Sequence, residues 1–196
     1  MVFHKIIENR TDLKDWLKYE KSKYKKVTPL YRLGLLTEQD AIWKYQRRLR
    51  ITEYHYNTHH KIRYVVSRIL LHRLQFRYGM KVKLNSCGRG LAIMHLGSLL
   101  TNGDLGEDCC LHVNVSIVSG GRDTGTPVIG SKNIFGVGAV VVGSVTLGSG
   151  IAVGANAVVT KSFEEDNIAI AGVPAKKISD NGTNTWNKKQ PEEVKE

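Results

Sequence analysis

The 196 residues predict a mainly β protein: a parallel β-helix of hexapeptide repeats with an α-helical domain ahead of it. Three observations carry this. Every sixth residue from Cys87 returns one apolar class: Cys87, Ile93, Leu99, Leu105, Leu111 and Ile117, then Ile129, Phe135, Val141, Leu147, Val153 and Val159. Four places after these the residue is usually small or aliphatic, as at Gly97, Val115, Ala139, Val145 and Ala157. The composition also changes near Gly79, since all eight tyrosines precede Met80 and residues 1–80 carry 18 Lys+Arg against 7 Asp+Glu, the whole net charge of +11. Strands repeat every two residues and helices every 3.6, so a strict period of six is neither. In a β-helix each hexad forms one short flat face with its aliphatic residue pointing inward, and stacked coils make the core continuous. The expected units are therefore a basic helical domain over 1–80, a β-helix over 81–178 and a polar tail over 179–196.

In chain order, Thr11 to Tyr24 reads as a helix with Leu13, Trp16, Leu17 and Tyr24 on one face. Pro29 and Gly34 mark a break. Thr37-Glu38-Gln39-Asp40 reads as a capping box that opens a second helix running to about Glu53. A third, from about His60 to Tyr78, is expected to turn Ile62, Val65, Val66, Ile69, Leu70, Leu74 and Phe76 mostly inward. The basic charge suits either a solvated helical face or an anionic membrane surface contacted through residues 1–80. No nucleic-acid-binding motif is present, so no nucleic-acid partner is expected.

No apolar run is long enough to span a membrane, and MVFHKIIENR lacks a signal-peptide pattern. Three cysteines without metal-type spacing, two of them at inward positions of the repeat, read as buried free thiols in a reducing cytoplasm. Within the repeat, Asp123 falls where the side chain should enter the core, and an unpaired carboxylate there is too costly. Residues 120–127 (GGRDTGTP) are therefore expected to leave the wall as a loop. From Asp180 the chain is polar and is expected to fray, with Trp186 as its one anchor.

GRGLAIMHLGS (88–98), residues 125–163 and AGVPAKKI (171–178) resemble the hexapeptide-repeat acyltransferases, most closely the serine acetyltransferase branch, which includes surface-polysaccharide O-acetyltransferases. The resemblance covers about half of the chain. It implies a left-handed β-helix with three hexads per coil, acetyl-CoA as acyl donor, no metal, and a homotrimer with active sites between subunits. By family match His95 is the catalytic histidine, and a neutral imidazole suits proton removal from an attacking hydroxyl. His112, 17 residues on, then lies on the neighbouring coil and suits acceptor binding or support of the base, with Arg122 and Asp123 of the loop beside it. The resemblance places Gly138, Ala139 and Ala157 on the CoA-binding edge, and Lys161, Lys176 and Lys177 on the nucleotide phosphates.

Where the branch carries a serine-recognising aspartate this chain has Met94, and its histidine-orienting aspartate falls at Met80. The loss of both carboxylates points to a neutral acceptor hydroxyl, a sugar of a surface polysaccharide or its precursor. Serine O-acetylation for cysteine synthesis is the alternative. A zinc hydratase on the same fold needs three histidine ligands, and the repeat has two. A β-helix used only as scaffold is the non-enzyme reading.

Overall fold

A computed structural model describes residues 4–33, 37–121 and 125–184. Three α-helices come first: α1 (Arg10–Ser22), α2 (Glu38–Asn57) and α3 (Lys61–Tyr78), with a 3-10 turn at Pro29–Arg32 between the first two. Local chemistry sets their ends. The Asn9 side chain accepts from the backbone N–H groups of Thr11 and Asp12 at the start of α1. Thr37 and Asp40 form the expected reciprocal box at the start of α2. α3 stops at Gly79, whose φ of +68° turns the chain directly into the strand Met80–Val82.

After Gly79 the chain winds into a parallel β-helix with three faces. One face stacks Met80–Val82, Leu99–Thr101, Ser116–Val118, Val140–Val142 and Val158–Val159. The second stacks Asp104–Leu105, Val128–Ile129 and Thr146–Leu147; the third runs from Ala92–Ile93 through Cys110–Leu111, Ile134–Phe135 and Ala152–Val153 to Ala169–Ala171. Every period-six residue from Cys87 to Val159 is buried inside this prism. The thiols of Cys87 and Cys109 are pushed up to about 12 by that burial, so both stay neutral.

The pairing register locates the loop. Ile129, Phe135 and Val141 pair with Leu147, Val153 and Val159, 18 residues on, one coil of three hexads. One coil earlier Leu105, Leu111 and Ile117 pair with the same three residues across 24. One extra hexad therefore leaves the wall between Val118 and Val128, as Asp123 required; Arg122 and Asp123 themselves lie outside the described residues. At the far end Lys176–Ser179 folds back antiparallel on Ala169–Ala171. The expected fraying from Asp180 is corrected in part. The Gly182 and Thr183 N–H groups donate to the carbonyls of Asn167 and Gly150, and the Thr183 hydroxyl donates to Lys132 O at 2.9 Å. Trp186 lies outside the described residues.

The inward face expected for α3 is also corrected. Ile62 and Phe76 are 83% and 86% exposed, Val65, Val66, Ile69 and Leu70 are exposed too, and the buried side is Ser67 and Leu71 with Leu74 packed behind them. Apolar and basic residues are both spread around the circumference of α3, so periodicity alone does not select a face. The choice is made by α2, where the Thr52 and Ser67 hydroxyls lie 2.8 Å apart.

The helices share one apolar core with the first coil through Ile42, Trp43, Tyr45 and Leu49, and a buried polar seam fixes them there. Arg50 of α2, fully buried, pairs with Glu20 of α1 at 2.7 Å and with Glu53 at 2.9 Å. It also donates to the carbonyls of Cys87 and Gly88, while Glu20 and Glu53 accept the backbone N–H groups of Gly90 and Asn85. Each charge buried here has a partner, which is the condition for its being tolerated.

Candidate active site

The short strand Ala92–Ile93 ends at an edge of the prism, and Met94, His95 and Leu96 follow it around the corner. Helical side chains hold the main chain on both sides of this corner. Gln46 donates to Leu91 O at 2.7 Å, the Ile93 N–H donates to the Tyr24 hydroxyl at 3.0 Å, and the Leu96 N–H donates to Glu38 Oε1 at 2.6 Å. His95 is thus presented by the β-helix and aimed by α2 and by Tyr24, just beyond the end of α1.

Glu38 was not singled out from the sequence. As first residue of α2 it reaches across 57 positions and uses both carboxylate oxygens at the site, one on Leu96 N and the other 3.3 Å from His95 Nδ1. A carboxylate at Nδ1 favours the tautomer with its proton there, which leaves the Nε2 lone pair to accept a proton. The carboxylate partner expected to be missing is therefore supplied by the helical domain, while Met80 lies fully buried in the core. The only sequence signal at Glu38 was the capping box, which accounts for α2 starting there and carries no information about a distant partner.

His112 joins His95 as expected, with ring centroids 6.3 Å apart. Its backbone N–H is held by Phe135 O, and its imidazole is held below the usual histidine range by burial first and by the charge of His95 second. It therefore stays neutral at physiological pH and can accept or donate one hydrogen bond toward a ligand at His95. The His95 side chain is 56% exposed and that of Glu38 43%, so in one chain this corner is an open surface.

The proposed donor-binding residues divide. Ala139 and Ala157 are fully buried, main chain included, so in one chain neither offers the surface that the resemblance assigns to a CoA arm. Gly138 has φ +72°, a left-handed turn that Asn114 and Asn156 make at the same position of the neighbouring coils, and a Cβ there would press on the Asn156 side chain. Lys161 is exposed, its ammonium 5.4 Å from the Phe163 ring. Lys177 is occupied by Glu165 and Asp180, each at 2.6 Å, and these carboxylates raise its pKa. Lys176 is exposed and forms no ion pair among the described residues, which leaves it the better placed of the two for a phosphate.

No protein-family profile matches the chain. Among characterised proteins it is 31% identical over 126 residues to a serine acetyltransferase of Helicobacter pylori, covering 61% of this chain and 73% of that one. A serine acetyltransferase of Synechococcus elongatus is 25% identical over 155 residues, covering 76% and 57%. Among solved structures, serine acetyltransferase from Brucella abortus superposes with a TM-score of 0.69 at 19% identity, over 89% of this chain and 72% of that one. A serine acetyltransferase complex with CoA gives 0.62 at 18%, over 86% and 70%. The fold shared with these structures is the left-handed parallel β-helix behind an N-terminal helical region.

Proposed function

This chain belongs to the serine acetyltransferase family, and on that premise we propose that it is an acetyl-CoA-dependent O-acetyltransferase with His95 as general base. The observation that carries the reading is the Glu38–His95–His112 cluster at one corner of the β-helix. In the forward step Nε2 of His95 takes the acceptor hydroxyl proton as the oxygen attacks the thioester carbonyl. Glu38 stabilises the imidazolium that forms, and backbone N–H groups of the neighbouring coil or loop hold the tetrahedral oxyanion. Collapse breaks the carbon–sulfur bond, and the departing thiolate takes the proton back from His95.

For the acceptor, serine is the reading that the relatives favour. Glu38 adds to it, because its half-exposed carboxylate stands beside the base where an ammonium group would find a partner. Met94, 42% exposed on the same corner, supports the second reading, a sugar hydroxyl of a surface polysaccharide or its precursor. The exposure of His95 in one chain supports a homotrimer in which a neighbouring subunit closes the cleft. Acetyl-CoA and three free cysteines suit a cytoplasmic enzyme, with the basic residues 1–80 available to an anionic membrane surface.

A thiol-release assay with acetyl-CoA, against L-serine and a panel of sugars, tests this. Serine-dependent release is expected, and His95→Ala should lower kcat by roughly 10²–10⁴-fold with acetyl-CoA affinity unchanged. Release with sugars alone would move the acceptor to the second reading. A protein that binds no CoA and releases no thiol would leave only the scaffold.

A further inference from the structure

The 3-10 turn, α2 and α3 line a groove of about 570 Å³ that shares no residue with the His95 corner. Five cations line it: Arg32 from the turn, Lys44, Arg47 and Arg48 from α2, and Arg73 from α3. No carboxylate lines it, and none of the five forms an ion pair among the described residues. Some cations outside the groove do carry carboxylate partners. Arg50 has Glu20 and Glu53, Arg89 has Asp15, Lys23 has Asp108, and Lys177 has two carboxylates.

We infer that this groove is a binding site for a phosphate-bearing anion. Like charges gathered around one cavity repel one another, and the repulsion is strongest where they are partly withdrawn from water, as Lys44, Arg47 and Arg48 are. An anion in the cavity turns that cost into attraction. Guanidinium forks match phosphate oxygens two at a time, and Lys44, which spends one proton on Leu33 O at 3.3 Å, keeps two more as point-charge donors. Arg48 is held below the usual arginine range by burial and by Arg47, as expected of a cation lacking its counter-ion. The remaining wall is Leu70, Leu74 and the Tyr31 ring, which gives an organic substituent an apolar surface. The ligand class is thus a phosphate ester or diphosphate, free in solution or as an anionic lipid headgroup. The site is independent of the acetyl-transfer reading, because none of its residues belongs to the His95 corner.

Two arms separate the sources. The first titrates the full chain with inorganic pyrophosphate by calorimetry at constant ionic strength. The second sediments it with phosphatidylglycerol–phosphatidylcholine vesicles and with phosphatidylcholine vesicles alone. Binding is expected in the first arm for a soluble phosphate, or in the second, with the anionic vesicles only, for a headgroup. Arg73→Ala and Arg47→Ala should weaken it at least tenfold, while Arg77→Ala, which removes an equal charge from α3 outside the groove, should change it less than twofold. Arg73 is exposed and its variant folds without repacking, so it carries the test if Arg47→Ala is unstable. No binding in either arm, or equal losses in Arg73→Ala and Arg77→Ala, would overturn the site. Thiol release measured on the same variants keeps this outcome separate from that of the acetyl-transfer reading.

Discussion

The β-helix and the helices ahead of it bury side chains by opposite means. In the prism each coil hydrogen-bonds to the next in a fixed register, so the backbone decides which residue of every hexad faces in, and that residue is aliphatic from Ile93 to Val159, with Phe135 the one ring. The helical region buries Ile42, Tyr45, Leu49 and Leu71 as well, but beside them it buries an ionic seam. Glu20, Arg50 and Glu53 are inaccessible while Ile62, Ile69 and Phe76 face outward. The lesson is that a solenoid's core is written in its repeat, whereas a helix buries whichever face its neighbour accepts. The polar seam also buys orientation, since the helices it seats carry Tyr24, Gln46 and Glu38 to the main chain around His95.

The sharpest way to break this comparison is to remove its centre. Arg50→Met leaves Glu20 and Glu53 buried without a cation and should cost about 3–5 kcal/mol in urea unfolding. A loss below about 1 kcal/mol would mean that the seam is not ionic in effect. In the prism Leu111→Ala should cost about 2–5 kcal/mol by leaving a cavity between coils, without disturbing any charge.

The link between the regions is tested at Glu38. A hydrogen bond to a charged group is worth about 1.5–3 kcal/mol, so Glu38→Gln should lower kcat roughly tenfold or more with the KM for acetyl-CoA unchanged, and should alter the pH profile of kcat. A purely structural role as the first residue of α2 would leave that profile where it is. The smallest effect is expected on the outer face of α3. Ile69→Ala should change monomer stability by no more than about 0.5 kcal/mol, as for other exposed positions. A loss of several kcal/mol that depends on protein concentration would show that another copy of the chain covers that face.

Much of the site was legible one element at a time. His95 and His112 could be brought together because the coil length converts a separation in sequence into a distance in space. Glu38 could not, because no periodicity relates α2 to the third face of the prism. The carboxylate that the repeat lacks comes from a residue whose local chemistry is fully explained as a helix start. The same limit applies to Lys177, whose position suits a phosphate but whose charge is already neutralised by Glu165 and Asp180.

Although α2 runs to Asn57 rather than to the expected Glu53, the sequence alone determined the β-helix, its inward residues, the extra hexad before Val128 and where the helices start. All of these follow from near-neighbour periodicity, cap chemistry and the cost of burying an unpaired Asp123. Tertiary structure alone decided which side of α3 is covered, what partners His95, and how Arg50 seats the helices. These depend on groups between 15 and 70 residues apart meeting in one place, and the packing of one element on another, rather than any local pattern, sets that meeting.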